Sequence, residues 1–206
     1  MDNIHSIHNI DTLYHINTLN HINYISKDYW NNRYNNTSNN YDWYLKPKHL
    51  IKLFNNIIHP HYKIFILGCG NSLLSEELYN LGYNNNNIYN ADFSDIIINK
   101  QLLKYKDYNM KWFCQDITNT TNLNKNSFNI IIDKATFDIL ASYNYILLST
   151  TFKQIIRLLT YNGILIIVSI NKDLLNYCDI NLVHIIATNK INSNFKLIYI
   201  FILQKK

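Results

Sequence analysis

From residue 63 onward, apolar and polar positions fall into two alternating rhythms. Short strand-like runs stand at 63–67 (KIFIL), 87–91 (NIYNA), 110–114 (MKWFC), 127–132 (SFNIII) and 163–169 (GILIIVS). Between them, stretches near 72–81, 94–105 and 146–160 repeat apolar residues at helical spacing. Strands alternating with helices of that length predict βαβ units. The fold class is therefore α/β, a doubly wound, Rossmann-like and mostly parallel sheet with helices on both faces. The end of the chain departs from the rhythm: INLVHIIATNKI (180–191) and FKLIYIFILQKK (195–206) are both strand-like and are separated by a few polar residues. Two strands so connected predict an antiparallel hairpin at one edge and bring the sheet to seven strands. Ahead of the alternation, PKHLIKLFNNII (47–58) sets apolar residues at helical spacing after a proline, as an amphipathic helix would. The first 26 residues scatter Ile and Leu among His and Asn and predict a mobile or loosely helical extension, which leaves 27–206 as the domain.

Composition changes this picture in few places. A chain of 206 residues suits one domain, and 48% hydrophobic residues suits a globular one. The abundance of Asn and the 17 Tyr read as a coding bias toward A/T-rich codons, so a lone Asn or Tyr carries little information. The four Gly carry more, because a chain this poor in glycine keeps it where the backbone needs positive φ or close approach. The net charge of +5 is dispersed. Its densest stretch, Lys46, Lys48, His49 and Lys52, belongs to one helix, and no continuous basic stripe exists, so nucleic acid is not expected as a partner. Cys69, Cys114 and Cys178 are odd in number and lack short paired spacing, which points to a reducing, cytoplasmic compartment. His5, His8, His15 and His21 are irregularly spaced with no Cys or acidic cluster beside them, so no metal site is expected. No secretory signal opens the chain, and no segment approaches the ~20 apolar residues of a membrane span.

In open α/β sheets ligands sit beyond the carboxyl ends of the strands, near the point where strand order reverses. That rule selects Gly68 to Ser72 after the first strand, Asp92 and Phe93 after the second, Asp116 and Ile117 after the third, and Asp133 and Lys134 after the fourth. A dinucleotide site would need Gly-x-Gly-x-x-Gly, whose third glycine lets the helix approach and whose free amides hold the pyrophosphate. Gly68 and Gly70 are present, but Leu73 occupies the third position. A ligand with an adenosine and no phosphates uses the same turn differently. The ribose diol of S-adenosylmethionine calls for an acceptor where Asp92 stands; its adenine amine calls for another where Asp116 stands, with the Ile117 amide available to a ring nitrogen. Gly68 and Gly70 leave room for the amino-acid portion.

At this point LGCGNSLLSEELYNLGY, NADFSDIIINK, CQDIT and SFNIIIDKATFDIL resemble the seven-stranded methyltransferases, and specifically the methyltransferase-like group that methylates lysine on translation elongation factor 1-alpha. The lead-in DYWNNRYNNTSNNYDWYLKPKHLIKLF is similar to the Tyr-Trp-x-x-Arg-Tyr and Asp-Trp-Tyr/Phe elements of that group. The resemblance covers about residues 28 to 170, and the last two strands by pattern only. It implies cofactor contacts at Trp30, Tyr34, Trp43, Gly68, Asp92, Phe93, Asp116, Ile117 and Lys134, and a protein substrate. Two departures stand out. The group's Asp-Lys-Gly-Thr becomes Asp-Lys-Ala-Thr at Ala135, a harmless change unless that residue needs φ > 0. The region after Asp138 is also short, which bears on substrate more than on cofactor.

The chemistry these residues suggest is in-line methyl transfer to a neutral amine without metal, with Asp133 or Asp138 as candidates to orient or deprotonate the lysine. Asp-Lys-Ala-Thr is not the Asn/Asp-Pro-Pro-Tyr/Phe element of base-modifying amino-methyltransferases. The alternatives are a catalytically silent member that binds cofactor or a partner, and a small-molecule methyltransferase.

Overall fold

The computed structural model describes residues 23–54, 56–193 and 196–206. His5, His8, His15 and His21 therefore lie outside the described residues. Seven strands, β1 (Ile64–Leu67), β2 (Ile88–Asp92), β3 (Lys111–Cys114), β4 (Phe128–Lys134), β5 (Leu159–Ser169), β6 (Val183–Ser193) and β7 (Lys196–Lys205), form one sheet in the order β3-β2-β1-β4-β5-β7-β6. Strands β1 to β5 pair in parallel. The expected hairpin forms, and β7 runs antiparallel to both of its neighbours, β5 and β6. Because β7 inserts between them, the second hairpin strand is interior and the first takes the sheet's edge. Strand order reverses between β1 and β4, and the site should lie over that junction.

Alternation within each strand sorts the core into two layers. Ile64 and Ile66 of β1, Ile130 and Ile132 of β4, Ile166 and Val168 of β5, and Ile198, Ile200 and Ile202 of β7 face one layer. It is closed by α1 (Lys27–Asn36), α2 (Pro47–Lys52), α3 (Leu74–Asn80) and α4 (Asp95–Lys104). Phe65 and Leu67, Ile131, Leu165 and Ile167, and Phe201 and Leu203 face the other layer, under α5 (Thr136–Tyr143) and α6 (Tyr145–Leu158). A sheet buried on both faces explains why the strand runs are continuously apolar rather than alternating. Each fully buried Ile or Phe in these rows contributes about 1.5–3 kcal/mol of apolar transfer.

Several elements differ from their sequence-based limits for local reasons. The helix expected over 47–58 stops at Lys52 and continues as turns. Strand β4 runs through Asp133 and Lys134, because Asp133 still pairs with Leu67 and Ile167 across the sheet. The helix expected over 146–160 ends at Leu158, and β5 begins immediately afterwards. Two further helices each lack one of the usual sequence signals. In α1, capped by the Ser26 side chain on the Tyr29 amide (3.4 Å), only Trp30 and Tyr34 are buried. In α5 the helix starts from a left-handed residue rather than from a polar cap. Between β3 and β4, residues 115–127 form turns and no helix, so the layer opposite α1–α4 is thin at the β2–β3 edge.

Candidate active site

The turn after β1 carries Gly68 at φ 52 and Gly70 at φ 49, both in the left-handed region where a Cβ is strained. Space enforces the same choice. A Cβ on Gly68 would collide with the Thr136 hydroxyl, and one on Gly70 would stand 2.7 Å from the Tyr34 hydroxyl. The turn is fixed from three directions: the Cys69 amide donates to Ala91 O (2.9 Å), the Gly70 amide to Asp92 Oδ2 (3.0 Å), and Gln101 Nε2 donates to Gly70 O (2.8 Å).

Asp92, the last residue of β2, is buried, and its other oxygen accepts from the Ser94 amide (2.9 Å). Burial pushes its carboxyl up to about 6, against the pull of the Ser94, Gly70 and Phe93 amides. A carboxylate offers about four acceptor positions, so two amide bonds leave capacity for a hydroxylated ligand. After β3, Asp116 is exposed, and its Oδ1 accepts from the Thr118 amide (2.8 Å) and hydroxyl (2.7 Å). Ile117 beside it is buried and Phe93 is half-buried.

The lead-in supplies an aromatic cover. Trp30, which donates from Nε1 to Tyr24 O (2.7 Å), packs its ring against Tyr34 (centroids 5.6 Å) and Trp43 (6.4 Å), and Trp43 meets Tyr41 (5.3 Å). The Arg33 guanidinium lies 5.5 Å from the centroids of Trp30 and Tyr41 and 5.8 Å from that of Trp43, which ties the rings together. The strap that follows is pinned at two points. Asp42 pairs with Lys134 Nζ (2.6 Å), accepts a short hydrogen bond from the Ser72 hydroxyl, and accepts from the Leu73 amide (3.4 Å). Tyr44, itself at φ 64, donates its hydroxyl to Asp138 Oδ2 (2.6 Å). Burial lowers the pKa of the Lys134 ammonium, and Asp42 pulls it back up.

These elements enclose a cavity of about 170 Å³ over the carboxyl ends of β1, β2 and β4. Trp30, Tyr34, Trp43, Gly68, Gly70, Asp92, Phe93, Asp116, Ile117 and Lys134 all line it. Asp133 and Asp138 are not among the lining residues; both are buried beside it with their own partners. Asp133 accepts from the Phe137 amide at 3.2 and 3.3 Å, and burial together with Asp138 drives its carboxyl well above the usual range. Asp138 accepts from the Ser169 hydroxyl (2.5 Å), the Tyr44 hydroxyl and the Ile170 amide (3.2 Å); burial raises its carboxyl and these bonds oppose the rise. Ala135 stands at φ 78, so the exchange of glycine for alanine in Asp-Lys-Ala-Thr falls where a Cβ is unfavourable.

Asp42, Tyr41, Gln115 and Thr118 belong to the site without having been selected by strand-end reasoning. Asp42 and Tyr41 do fall inside the quoted lead-in. Asp42 lies 92 residues from Lys134 in sequence, and no periodicity connects the two. Among the described residues no group of three or more His, Cys, Asp or Glu could hold a metal ion, and no helix is long and apolar enough to cross a membrane.

A seven-stranded sheet in this order, with a partly open cavity over its switch point and a glycine turn on the cavity floor, defines a Rossmann-like domain that holds a small cofactor. The chain belongs to the methyltransferase domain family, whose model matches residues 58–201. An eEF1A lysine and N-terminal methyltransferase from Danio rerio is 30% identical over 121 residues, covering 58% of this chain and 17% of that protein. Its homolog from Drosophila melanogaster is 28% identical over 186 residues, covering 82% of this chain and 27% of that protein. The chain thus spans about a sixth to a quarter of the length of these relatives. Magnesium protoporphyrin IX methyltransferase from Synechocystis shares the fold with TM-score 0.66 at 15% identity, covering 89% of this chain and 97% of that one. N-methyltransferase NodS from Bradyrhizobium japonicum shares it with TM-score 0.60 at 11% identity, covering 77% and 93%.

Proposed function

We propose that the chain binds S-adenosylmethionine and transfers its methyl group to a lysine amine of a protein in the cytoplasm, with translation elongation factor 1-alpha as the acceptor. The observation that carries this reading is Asp92, a buried carboxylate at the end of β2 with unused acceptor capacity, next to a glycine turn with no room for a side chain. That pairing suits a ribose diol joined to a compact amino-acid portion. A dinucleotide suits it poorly: the Asp42 carboxylate already occupies the start of α3, where it accepts from the Leu73 amide and the Ser72 hydroxyl, so a pyrophosphate would meet an acid there. The protein acceptor is supported by the relatives from Danio rerio and Drosophila melanogaster, which are named for it.

S-adenosylmethionine supplies, when bound, a methyl group already activated on a sulfonium. The chain's own residues supply position and environment. Asp92 accepts from the ribose hydroxyls, Asp116 from the adenine amine, and the Ile117 amide donates to the ring. Trp30, Tyr34 and Trp43 exclude water and turn ring faces toward positive charge. A mainly apolar cover of this kind favours an incoming lysine in its neutral, nucleophilic form. Lys134, held by Asp42, fixes the strap to the end of β4. Asp133 and Asp138 act as positioning residues, Asp133 for the start of α5 and Asp138 for Tyr44 in the strap.

Calorimetric titration tests the cofactor. Micromolar binding of S-adenosylmethionine and S-adenosylhomocysteine with no heat from NADH is expected, and heat from NADH alone would overturn the reading. Transfer of labelled methyl in a lysate tests the acceptor. A labelled band at the size of elongation factor 1-alpha is expected; a band elsewhere would redirect the substrate, and cofactor binding without any label would leave a cofactor-binding protein.

A further inference from the structure

The basic residues that look dispersed in sequence are gathered by the topology. Lys63 immediately precedes β1, Lys111 opens β3, Lys125 stands in the turn before β4, Arg157 in the last turn of α6 before β5, and Lys205 closes the antiparallel β7. All five therefore sit at the amino-end pole of the parallel strands, opposite the cofactor cavity. None of them forms an ion pair among the described residues. The turns of this pole also carry Asp107 and Asp179, the latter paired with Lys153 (3.4 Å). Lys205 donates to Asn126 Oδ1 (2.8 Å) and Leu159 O (2.7 Å), and burial, Arg157 and Lys125 together lower the pKa of its ammonium. Opposing charge at this pole is thus too sparse to cancel the cations' effect on one another.

Beside this pole lies the thin layer left by the helix-free connection 115–127. A groove of about 240 Å³ opens there between the sheet and the connecting turns, lined by Lys63, Phe65, Tyr89, Phe113, Leu123 and Phe128 among others. Lys111 and Phe113 share one face of β3, and Lys111 is in register with Tyr89 of β2. The rings of Tyr89 and Phe113 are nearly parallel (12°, centroids 6.1 Å), and Phe113 is 41% exposed at an edge with no helix above it. An exposed ring, Phe113, beside the half-buried Tyr89 on a sheet face, rimmed by lysines without ion pairs, is an arrangement that can hold unpaired bases and their phosphates.

We propose that this pole binds single-stranded nucleic acid, with bases stacking on Phe113 and Tyr89 and phosphates meeting Lys63, Lys111 and Lys125. The groove adjoins the cofactor cavity at Gln115, which lines both, but its lysines sit at the opposite pole and the proposal does not depend on the identity of the methyl acceptor. An acidic protein surface would satisfy the lysines but would leave the rings without a function. This is why nucleic acid is the better match.

Fluorescence anisotropy of the full chain with a labelled, mixed-sequence single-stranded RNA of about 15 nucleotides tests the proposal. Binding in the micromolar range is expected. With about three phosphates contacted, one per lysine, affinity should fall about 20-fold between about 50 and 200 mM salt. Phe113→Leu, which keeps an apolar side chain without a ring, should weaken binding at least about fivefold. The double variant Lys63→Gln, Lys125→Gln should weaken it further and flatten the salt dependence. Retained binding of S-adenosylhomocysteine verifies that both variants are folded. Absence of RNA binding, or RNA binding that Phe113→Leu leaves unchanged while polyglutamate competes equally well, would overturn the proposal, the latter in favour of an acidic protein partner.

Discussion

Asp92 ends β2 and Asp133 is the last residue but one of β4, the two strands that flank β1, and both are buried carboxyls whose pKa burial raises. One lines the cavity and the other does not. Parity separates them. Asp92 follows Ile88 and Asn90 on the face that looks toward α1–α4, where the glycine turn and the aromatic lead-in also lie. Asp133 follows Ile131 on the opposite face, under Phe137 of α5, so its successor Lys134 is the residue of β4 that reaches the cavity. Position at a strand end brings a residue near the site, and the face decides whether it takes part.

The largest effect should come from the turn that Asp92 holds. Gly70→Ala adds a Cβ at φ 49 and 2.7 Å from the Tyr34 hydroxyl; strain and overpacking together amount to about 3 kcal/mol, or about a hundredfold weaker binding of S-adenosylhomocysteine. Calorimetry checks it, and unchanged affinity would mean that the turn is not part of the cofactor site. Next comes Asp92→Ala, which removes the charged acceptor proposed for the ribose hydroxyls and should weaken binding about 30-fold. The same carboxyl gives a pH signature. Its pKa in the folded chain is raised from 3.8 to about 6, so the stability it contributes is present below 3.8 and is lost as pH rises through about 6. Cofactor affinity, which uses the ionised form, should rise over that same interval, and Asp92→Asn should abolish both slopes in calorimetry and urea unfolding.

Parity was available in the sequence, since SFNIII continues directly into Asp-Lys and an alternating strand turns Lys134 to the face opposite Asp133. The strand–helix alternation, the hairpin and the strand-end positions of Gly68, Asp92 and Asp116 were readable because each depends on local periodicity or on a rule about strand ends. Asp42 was not. Its partners Lys134, Ser72 and Leu73 are brought to it only by closure of the strap, and a lone Asp in an Asn-rich stretch has no periodic neighbours. The basic pole was unreadable for a similar reason, because its members are one residue per strand terminus and meet only in the folded sheet. The helix α5 was hidden by its start, since Ala135 is neither a polar cap nor a glycine.

That start supplies a smaller, stabilising prediction on the Asp133 side of the comparison. Ala135 carries a Cβ at φ 78 between Lys134, which lines the cavity, and Thr136, which crowds Gly68. Ala135→Gly removes a cost of about 1 kcal/mol in the left-handed region, more than the flexibility it adds to the unfolded chain. The urea midpoint should move up with the slope unchanged. A lower midpoint would mean that residue 135 does not adopt this conformation in solution.

The smallest effect should come from Asp133→Asn, where the two carboxyls are most sharply distinguished. Asn retains an oxygen for the Phe137 amide and nearly the same volume, so stability at low pH should change by less than about 1 kcal/mol. Because burial raises the parent carboxyl's pKa, its contribution is present below the unfolded value and is lost as pH rises, a loss the amide does not suffer. The variant should therefore gain on the parent as pH increases, with cofactor affinity and methyl transfer left within about twofold. A general base in that position would behave otherwise, since its removal costs about a hundredfold or more in turnover. A fall of that size at unchanged cofactor affinity would bring Asp133 into the chemistry and leave parity a poor guide at the end of β4.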